Sequence, residues 1–193
     1  MQQLTKIILF ALFAVFLGLG SMWSMITTGT GLSVLTVGPW QSWTTQGHPD
    51  TDPYTRAHIM RSGRLPITST GARYFMARTD SGNDPLFASC EYELRGRSID
   101  ALWWSIALYD EEGQIIPNSA ERYAFNSANM FFRDDGTYSV RIAQRARPEN
   151  WLPISGDRPL VLMLRIYRPR FPNEFASEEA AAQLLPTINQ VTC

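Results

Sequence analysis

The sequence predicts a mainly β protein: an antiparallel, jelly-roll-like sandwich with two short helices, preceded by one N-terminal transmembrane helix. Three observations lead to this fold class. The segment 7–26 has 20 residues and no charge, enough to cross a bilayer as a helix. Beyond it, short segments with strand-like alternation are separated by Gly, Pro, Asp and Asn. The two cysteines, Cys90 and Cys193, both lie in this second part.

The composition allows one globular domain beyond the apolar segment. The chain has 193 residues and a formal net charge of −1, so it lacks the basic footprint of a nucleic-acid-binding protein. The part after residue 31 has about 160 residues, enough to bury roughly 70% of its unfolded surface. We therefore expect a domain that folds without a metal or a cofactor.

The apolar segment 7–26 predicts a single-pass anchor in the bacterial inner membrane. Lys6 precedes it and no further charge occurs before Asp50, and positive charges flank the cytoplasmic side of a span. Residues 1–6 are then cytoplasmic. Residues 27–31 form a short linker, and residues 32–193 form a periplasmic β-sandwich domain.

Small residues within the apolar segment allow two further interpretations. Gly18-Leu19-Gly20 suits a signal peptidase, so a cleaved signal peptide is the alternative, although the apolar run continues beyond this point. Two small-xxx-small pairs allow another membrane helix to approach closely, the alternative being a plain lipid-facing anchor. These pairs are Ala14 with Gly18, and Gly20 with Ser24.

The segment Ala101–Asp110 predicts the central strand. Its even positions are large and apolar, its odd positions mostly small or amphipathic, and this alternation is typical of a strand with one buried face. The even positions, expected in the core, are Leu102, Trp104, Ile106 and Leu108. A turn at 110–113 predicts a β-hairpin that returns at 114–116.

The other elements follow from alternation, apolar runs and turn residues. Residues 159–167 are apolar on both faces and predict an interior strand, whereas 151–154 predict a Pro-bounded loop. Asp134-Asp135-Gly136 is a hairpin signal. The remaining predicted strands are 33–37, 40–45, 72–79, 87–95, 122–126, 130–133, 137–143 and 188–191.

Capping residues predict two helices. Asp52 as N-cap and Pro53 at the first helical position indicate a helix over 53–62. Ser177, followed by two glutamates near the positive end of the helix dipole, indicates a helix over 177–185.

The two cysteines predict one disulfide. Cys90 lies on the same strand face as Tyr92 and Leu94, and Cys193 ends the chain. Such a pair usually oxidises outside the cytoplasm, and the bridge would fasten the C-terminal strand to the sheet. The alternative is a buried thiol at Cys90 with a frayed C-terminal tail.

The sequence contains no recognisable catalytic constellation. The only histidines, His48 and His58, lack the spacing of a metal site, and no nucleophile elbow occurs. Glu91 and Glu93 share one strand face and suggest either a glycosidase acid/base pair or an ion-paired surface, which we prefer. The candidate cationic partners are Arg73, Arg95 and Arg165. We lean towards a protein that is not an enzyme.

Aromatic side chains with polar edges suggest a binding face for sugars or peptides, although ordinary sandwich core is the alternative for most of them. The candidate residues are Tyr54, Tyr92, Trp103, Tyr109, Arg165 and Tyr167, with Tyr74 beside them.

Short motifs occur in a fixed order along the chain. They are Asp52-Pro53-Tyr54-Thr55-Arg56-Ala57, Cys90-x-Tyr92, Trp103-Trp104-Ser105, Tyr109-Asp110, Ile116-Pro117-Asn118, Arg122-Tyr123, Asn150-Trp151-Leu152-Pro153 and Leu164-Arg165-x-Tyr167-x-Pro169. In this order, over roughly residues 35–192, they resemble the bacterial family called domain of unknown function 1214. The resemblance implies a jelly-roll-like β domain, often accompanied by a second β domain, and the chain is similar to short members with one transmembrane helix. It implies no catalytic residues.

These features predict a membrane-anchored, periplasmic β-sandwich that binds a protein partner. We expect a non-catalytic accessory subunit of an envelope or bioenergetic membrane complex, respiratory or photosynthetic. The alternative is a carbohydrate-binding or carbohydrate-active periplasmic protein, which requires exposed aromatic rings and two carboxylates spaced for hydrolysis. A third possibility is a housekeeping fold with a small-molecule cavity inside the sandwich.

Overall fold

The computed structural model describes residues 2–29, 34–61, 67–68 and 70–193. The chain divides into two compact units. The first comprises Met1–Ser33 and Thr45–Ile67, and the second comprises Val34–Thr44 and Thr68–Cys193.

The first unit contains two helices, α1 (Gln2–Thr28) and α2 (Pro53–Arg61). Helix α1 has no buried residue and is long and apolar enough to cross a membrane. Helix α2 begins where the sequence predicts, because the Asp52 carboxylate accepts hydrogen bonds from the backbone N–H groups of Tyr54 and Thr55. The predicted end of this helix at residue 62, and residues 30–31 of the predicted linker, lie outside the described residues.

Helix α2 packs against the C-terminal end of α1. His58 Nδ1 lies 2.9 Å from the carbonyl oxygen of Ile26, and the Arg61 guanidinium lies 5.2 Å from the centre of the Trp23 ring. The His58 ring leaves no room for a side chain at residue 29, where a Cβ would lie 2.9 Å from Nε2 and where φ is +69°. Gly29 therefore allows both the close approach and the left-handed backbone that ends α1.

The second unit is a sandwich of two sheets. The six-stranded sheet has the order β1 (Val34–Val37), β2 (Trp40–Trp43), β3 (Ala72–Ala77), β9 (Val161–Pro169), β5 (Ala101–Tyr109) and β6 (Ala124–Asn126). The four-stranded sheet has the order β10 (Thr187–Thr192), β4 (Glu91–Arg97), β7 (Thr137–Ala143) and β8 (Asn150–Pro153). All ladders are antiparallel except β7–β8, so the predicted mainly β sandwich is confirmed, with one mixed sheet.

The long strand β9 lies between β3 and β5 and is the interior strand that the sequence predicts. Strand β5 pairs with β9 along nearly its whole length, from Ala101 opposite Pro169 to Tyr109 opposite Val161. The predicted hairpin forms but is short: the hydrogen-bonded turn at 110–113 returns the chain so that Ile115 makes one antiparallel bridge to Tyr109. Because Tyr109 also pairs with Val161, β9 and the returning segment lie on opposite edges of β5.

The inner face of β5 carries Trp104, Ile106 and Leu108, which are all buried in the core as predicted. Leu102 is a correction, since 69% of its surface is exposed. It lies near the N-terminal end of the strand, before Trp104, the first fully buried core residue of β5.

The predictions for segments 130–133 and 151–154 are both wrong: the predicted strand is a loop, and the predicted loop contains a strand. Segment 130–133 forms no strand, because a side chain makes the hydrogen bonds to its backbone. The Asn150 amide accepts the N–H of Phe131 and donates to the carbonyls of Phe131 and Ser139. The second forms strand β8, which pairs in parallel with β7. Local sequence gives no signal for either outcome, because both depend on a contact across the fold.

The C-terminal part closes the sandwich as the sequence predicts. The hydroxyl of Ser177 caps helix α3 (Glu178–Ala182), which is shorter than predicted and follows a 3₁₀ turn at Pro172–Phe175. Strand β10 pairs with β4 at the edge of the smaller sheet. A disulfide joins Cys90 to Cys193 and confirms the predicted bridge.

Loss of this disulfide is expected to destabilise the sandwich. It closes a loop with a sequence separation of 103 residues, and bridges over loops of this size contribute about 3–5 kcal/mol by restricting the unfolded chain. We expect Cys193→Ala to lower the free energy of unfolding by about this amount, measured by urea unfolding of the detergent-solubilised chain. Cys90→Ala provides the matched variant, and the double variant should cost little more than either one. Additive losses would contradict a shared bond.

Candidate functional site

The outer face of the six-stranded sheet collects most of the predicted binding residues. Because Leu162, Leu164 and Ile166 of β9 face the core, strand alternation places the residues between them on the outer face. Strand pairing brings neighbours from β3 and β5 alongside. We call this group the outer aromatic cluster; its members are Tyr74, Trp103, Tyr109, Arg165 and Tyr167.

The rings of this cluster contact one another across three strands. The centre of the Tyr167 ring lies 5.5 Å from that of Trp103 and 6.1 Å from that of Tyr74, the latter pair edge to face. Tyr74 is 4% exposed, whereas Trp103 and Tyr167 are half-buried. The cluster therefore offers ring edges and hydroxyl groups at the outer face of the sheet.

Arg165 is the cation of the outer aromatic cluster. Its Nη2 donates a hydrogen bond of 2.7 Å to the hydroxyl oxygen of Tyr109, and its guanidinium lies 5.2 Å from the centre of that ring. Among the ion pairs of the described residues, none involves Arg165. A planar cation held beside aromatic rings suits an acidic group on an aromatic or apolar ligand.

Two of the predicted binding residues lie elsewhere. Tyr92 is a correction: it belongs to the core, with 1% of its surface exposed, and its hydroxyl accepts the N–H of Phe87. Burial raises the pKa of this hydroxyl. Tyr54 belongs to the first unit, where it is 40% exposed on helix α2.

Glu91 and Glu93 form an ion-paired cluster on the outer face of the four-stranded sheet. Arg147 donates two hydrogen bonds to Glu91, from Nε and Nη2 to the two carboxylate oxygens. Glu93 accepts hydrogen bonds from Arg95 and from the Ser139 hydroxyl, at 2.8 Å and 2.7 Å. Arg141 lies 3.6 Å from both carboxylates.

Of the three predicted cationic partners, only Arg95 contacts these glutamates. Arg73 and Arg165 belong to the other sheet. Sequence reasoning missed Arg141, which is opposite Glu93 in the β4–β7 ladder, and Arg147, which follows β7 in a loop. Neither has a local signal, since both approach the glutamates only after strands β4 and β7 have paired.

The electrostatics of this cluster do not suit acid/base catalysis. The hydrogen bond from Arg147 holds the pKa of Glu91 below its ordinary value. Burial opposes ionisation of Glu93, but hydrogen bonds from Arg95 and Ser139 outweigh it and leave that pKa lowered as well. A glycosidase general acid needs a raised pKa, so the cluster favours a structural role.

Neither histidine lies in a metal-binding arrangement. Across the described ranges, no three His, Cys, Asp or Glu side chains converge on a common point. His48 contacts Asp50 at 3.6 Å, and His58 contacts the Ile26 carbonyl in the first unit.

The small residues of helix α1 lie on its exposed surface. Ala14, Gly18, Gly20 and Ser24 are all exposed, and a Cβ added at Gly18 or Gly20 would meet nothing within 4 Å. At 100° per residue, Ala14 and Gly18 share one side of the helix, and Gly20 and Ser24 share a different side.

The chain belongs to the family described as "Protein of unknown function (DUF1214)", whose model matches residues 71–171, from the start of β3 to the residues just after β9. No curated protein matches the chain.

Two solved structures match the chain, the first of them with a similar fold. The VPA0106 protein from Vibrio parahaemolyticus is 18% identical with a TM-score of 0.63, and the similarity covers 91% of this chain and 43% of that protein. An uncharacterised protein from Burkholderia cenocepacia is 16% identical with a TM-score of 0.42, covering 75% of this chain and 44% of that one. This chain therefore spans less than half the length of either protein.

The ion-paired cluster predicts a loss of stability in acid. The pKa of Glu91 is lowered in the folded state. The ion pair of Glu91 therefore contributes its full stabilisation of the folded protein above the ordinary pKa of 4.5, and this stabilisation is lost as the pH falls through the lower folded pKa. We expect Arg147→Gln to be less stable than the wild type near neutral pH, with a difference that shrinks below about pH 4.5, measured by thermal melting.

Arg145→Gln is the matched control, because Arg145 is an exposed neighbour of Arg147 and contacts neither glutamate. It should melt like the wild type throughout. A constant difference between Arg147→Gln and the wild type at every pH would contradict the assigned ion pair.

Proposed function

We propose that this protein is a non-catalytic accessory subunit of a bacterial envelope or bioenergetic membrane complex. Helix α1 anchors it in the inner membrane with Met1 on the cytoplasmic side. The β-sandwich lies in the periplasm and binds a protein partner.

The observation that carries the proposal is the exposed apolar helix α1. Its 27 residues are all outside the core of the protein, and they extend about 40 Å, more than the hydrocarbon core of a bilayer. So large an apolar surface requires a cover, and lipid supplies it. The small residues on two sides of the helix add room for a neighbouring helix.

The disulfide supports export of the sandwich. Structural disulfides form and persist in oxidising compartments such as the periplasm, and this one joins strand β4 to the end of β10. Lys6, before the apolar span, agrees with a cytoplasmic N-terminus.

The outer aromatic cluster supports binding as the role of the sandwich. Arg165, which has no carboxylate partner among the described residues, presents a charge beside half-buried rings. Arginine and aromatic residues are enriched where proteins bind each other. The carbohydrate-directed alternative would use the same rings, and the experiments below separate the two.

The membrane part of the proposal predicts an effect of Gly18→Leu. A Cβ at residue 18 meets no described atom within 4 Å, so we expect the cost of a leucine there to fall on a neighbouring helix. Loss of close helix packing is worth about 1–2 kcal/mol, and we expect roughly tenfold less partner crosslinked in native membranes. Leu19→Phe, at an exposed position about 100° around the helix from both Gly18 and Gly20, should leave the crosslink intact. Equal crosslinking by both variants, or a lone monomer in every preparation, would overturn the proposal.

The periplasmic part predicts an effect of Arg165→Gln. This change removes the charge of the outer aromatic cluster, and we expect less partner in a mild-detergent copurification while the melting temperature is retained. Arg78→Gln, at an exposed arginine just beyond β3, is the control. Binding of an oligosaccharide by the purified chain, without any copurifying protein, would favour the carbohydrate-directed alternative and reject the accessory role.

A further inference from the structure

Arg73 is a buried cation for which the described residues provide no partner. Only 6% of its surface is exposed, and its Nε and Nη1 atoms are fully buried and make no hydrogen bond. Strand β3 carries Phe75 and Ala77 of the core cluster, and alternation along the strand puts Arg73 on that same inner face.

No carboxylate of the described residues lies within ion-pair distance of this charge. Arg73 takes part in none of the ion pairs of the described residues. The residues outside the described ranges, at positions 1, 30–33, 62–66 and 69, include no Asp or Glu. A counter-charge must therefore come from another molecule.

Leaving such a charge unpaired is costly. Burying an unpaired ion costs several kcal/mol even after relaxation. A lysine or histidine avoids this cost by releasing its proton, but a guanidinium stays charged in proteins. Burial lowers the pKa of Arg73 without bringing arginine near a neutral form. The folded chain gains most from a bound anion at this position.

The surroundings of Arg73 supply apolar surface and a second free donor. Across the inner face, Arg73 is opposite Ile166, which is opposite Trp104, so Arg73 and Trp104 lie two strands apart, about 10 Å between backbones. The indole N–H of Trp104 is buried without a partner. The Trp104 ring contacts Tyr138, with 5.2 Å between ring centres, and the Tyr138 hydroxyl is also buried and unpartnered.

These observations define the chemistry of the missing anion. A single guanidinium balances one negative charge, whereas phosphate brings about two at neutral pH and would leave a buried charge uncompensated. The planar fork of arginine matches a carboxylate. Neighbours such as Ile166 and Trp104 favour an apolar body beside that group.

We infer that Arg73 is the anion-binding residue of an internal site for a small organic monocarboxylate with an apolar body. Arg73 is on the inner face of the sheet, opposite to the outer aromatic cluster, so the inference goes beyond the proposed accessory role and does not depend on it.

Thermal melting of the full chain in mild detergent tests this site, with benzoate as the probe. At roughly ten times its dissociation constant, benzoate is expected to raise the melting temperature by about 4 °C. Benzamide, which has the same ring but no charge, and inorganic phosphate should each give a much smaller shift. No shift with benzoate, or an equal shift with phosphate or benzamide, would overturn the inference.

Arg73→Met supplies the critical variant. It removes the charge at similar volume, so it should fold at least as well as the wild type without ligand and lose the benzoate shift. Arg78→Met, at the exposed arginine beyond the same strand, should retain it. If Arg73→Met does not fold, Arg73→Lys serves instead, since it keeps the charge without the fork and should weaken benzoate binding about tenfold. Unchanged benzoate binding in whichever Arg73 variant folds would reject the site.

Discussion

The pairing of strand β9 on both of its edges is the constraint on which the sandwich depends. Its ladders with β3 and β5 fix the register of the larger sheet. The core contains Leu162, Leu164 and Ile166 of this strand. Because side chains alternate along a strand, Arg165 and Tyr167 must lie on the outer face. A shift of one residue would reverse every one of these positions. One register therefore decides both the core and the composition of the outer aromatic cluster.

In the smaller sheet, strand alternation likewise separates apolar core residues from charged outward residues. In β4, Tyr92 and Leu94 face the core, while Glu91 and Glu93 face outward and are enclosed by arginines. The chain is nearly neutral overall, yet its charges are distributed unevenly. The carboxylates of β4 are fully engaged, whereas Arg73 and Arg165 have no carboxylate among the described residues. These two arginines are the places where another molecule has most to add.

The two arginines differ in what they are able to bind. Arg165 is held by the Tyr109 hydroxyl at the outer face, where a partner surface approaches without entering the core. Arg73 is 6% exposed and lies on the inner face, out of reach of a partner surface that stays outside the core. Membership of the DUF1214 family and the similarity to the Vibrio protein establish the fold. They leave the roles of both arginines to experiment.

The sequence by itself determined the features that depend on neighbouring residues. These are the apolar helix α1, the capped starts of α2 and α3, the alternation of β5, the two-sided burial of β9 and the outward direction of Glu91 and Glu93. It also indicated the Cys90–Cys193 bridge, because only two cysteines occur.

Only the tertiary structure decided which segments meet. Strand β5 forms its long ladder with β9, while the local hairpin contributes a single bridge on the other edge. Strand β8 forms a parallel ladder, and the amide of Asn150 supports segment 130–133. Arg147 reaches Glu91 across 56 residues, and Arg73 reaches no carboxylate at all among the described residues. Each of these outcomes is set by competition between distant segments for the same edge or the same charge, and local periodicity carries no information about that competition.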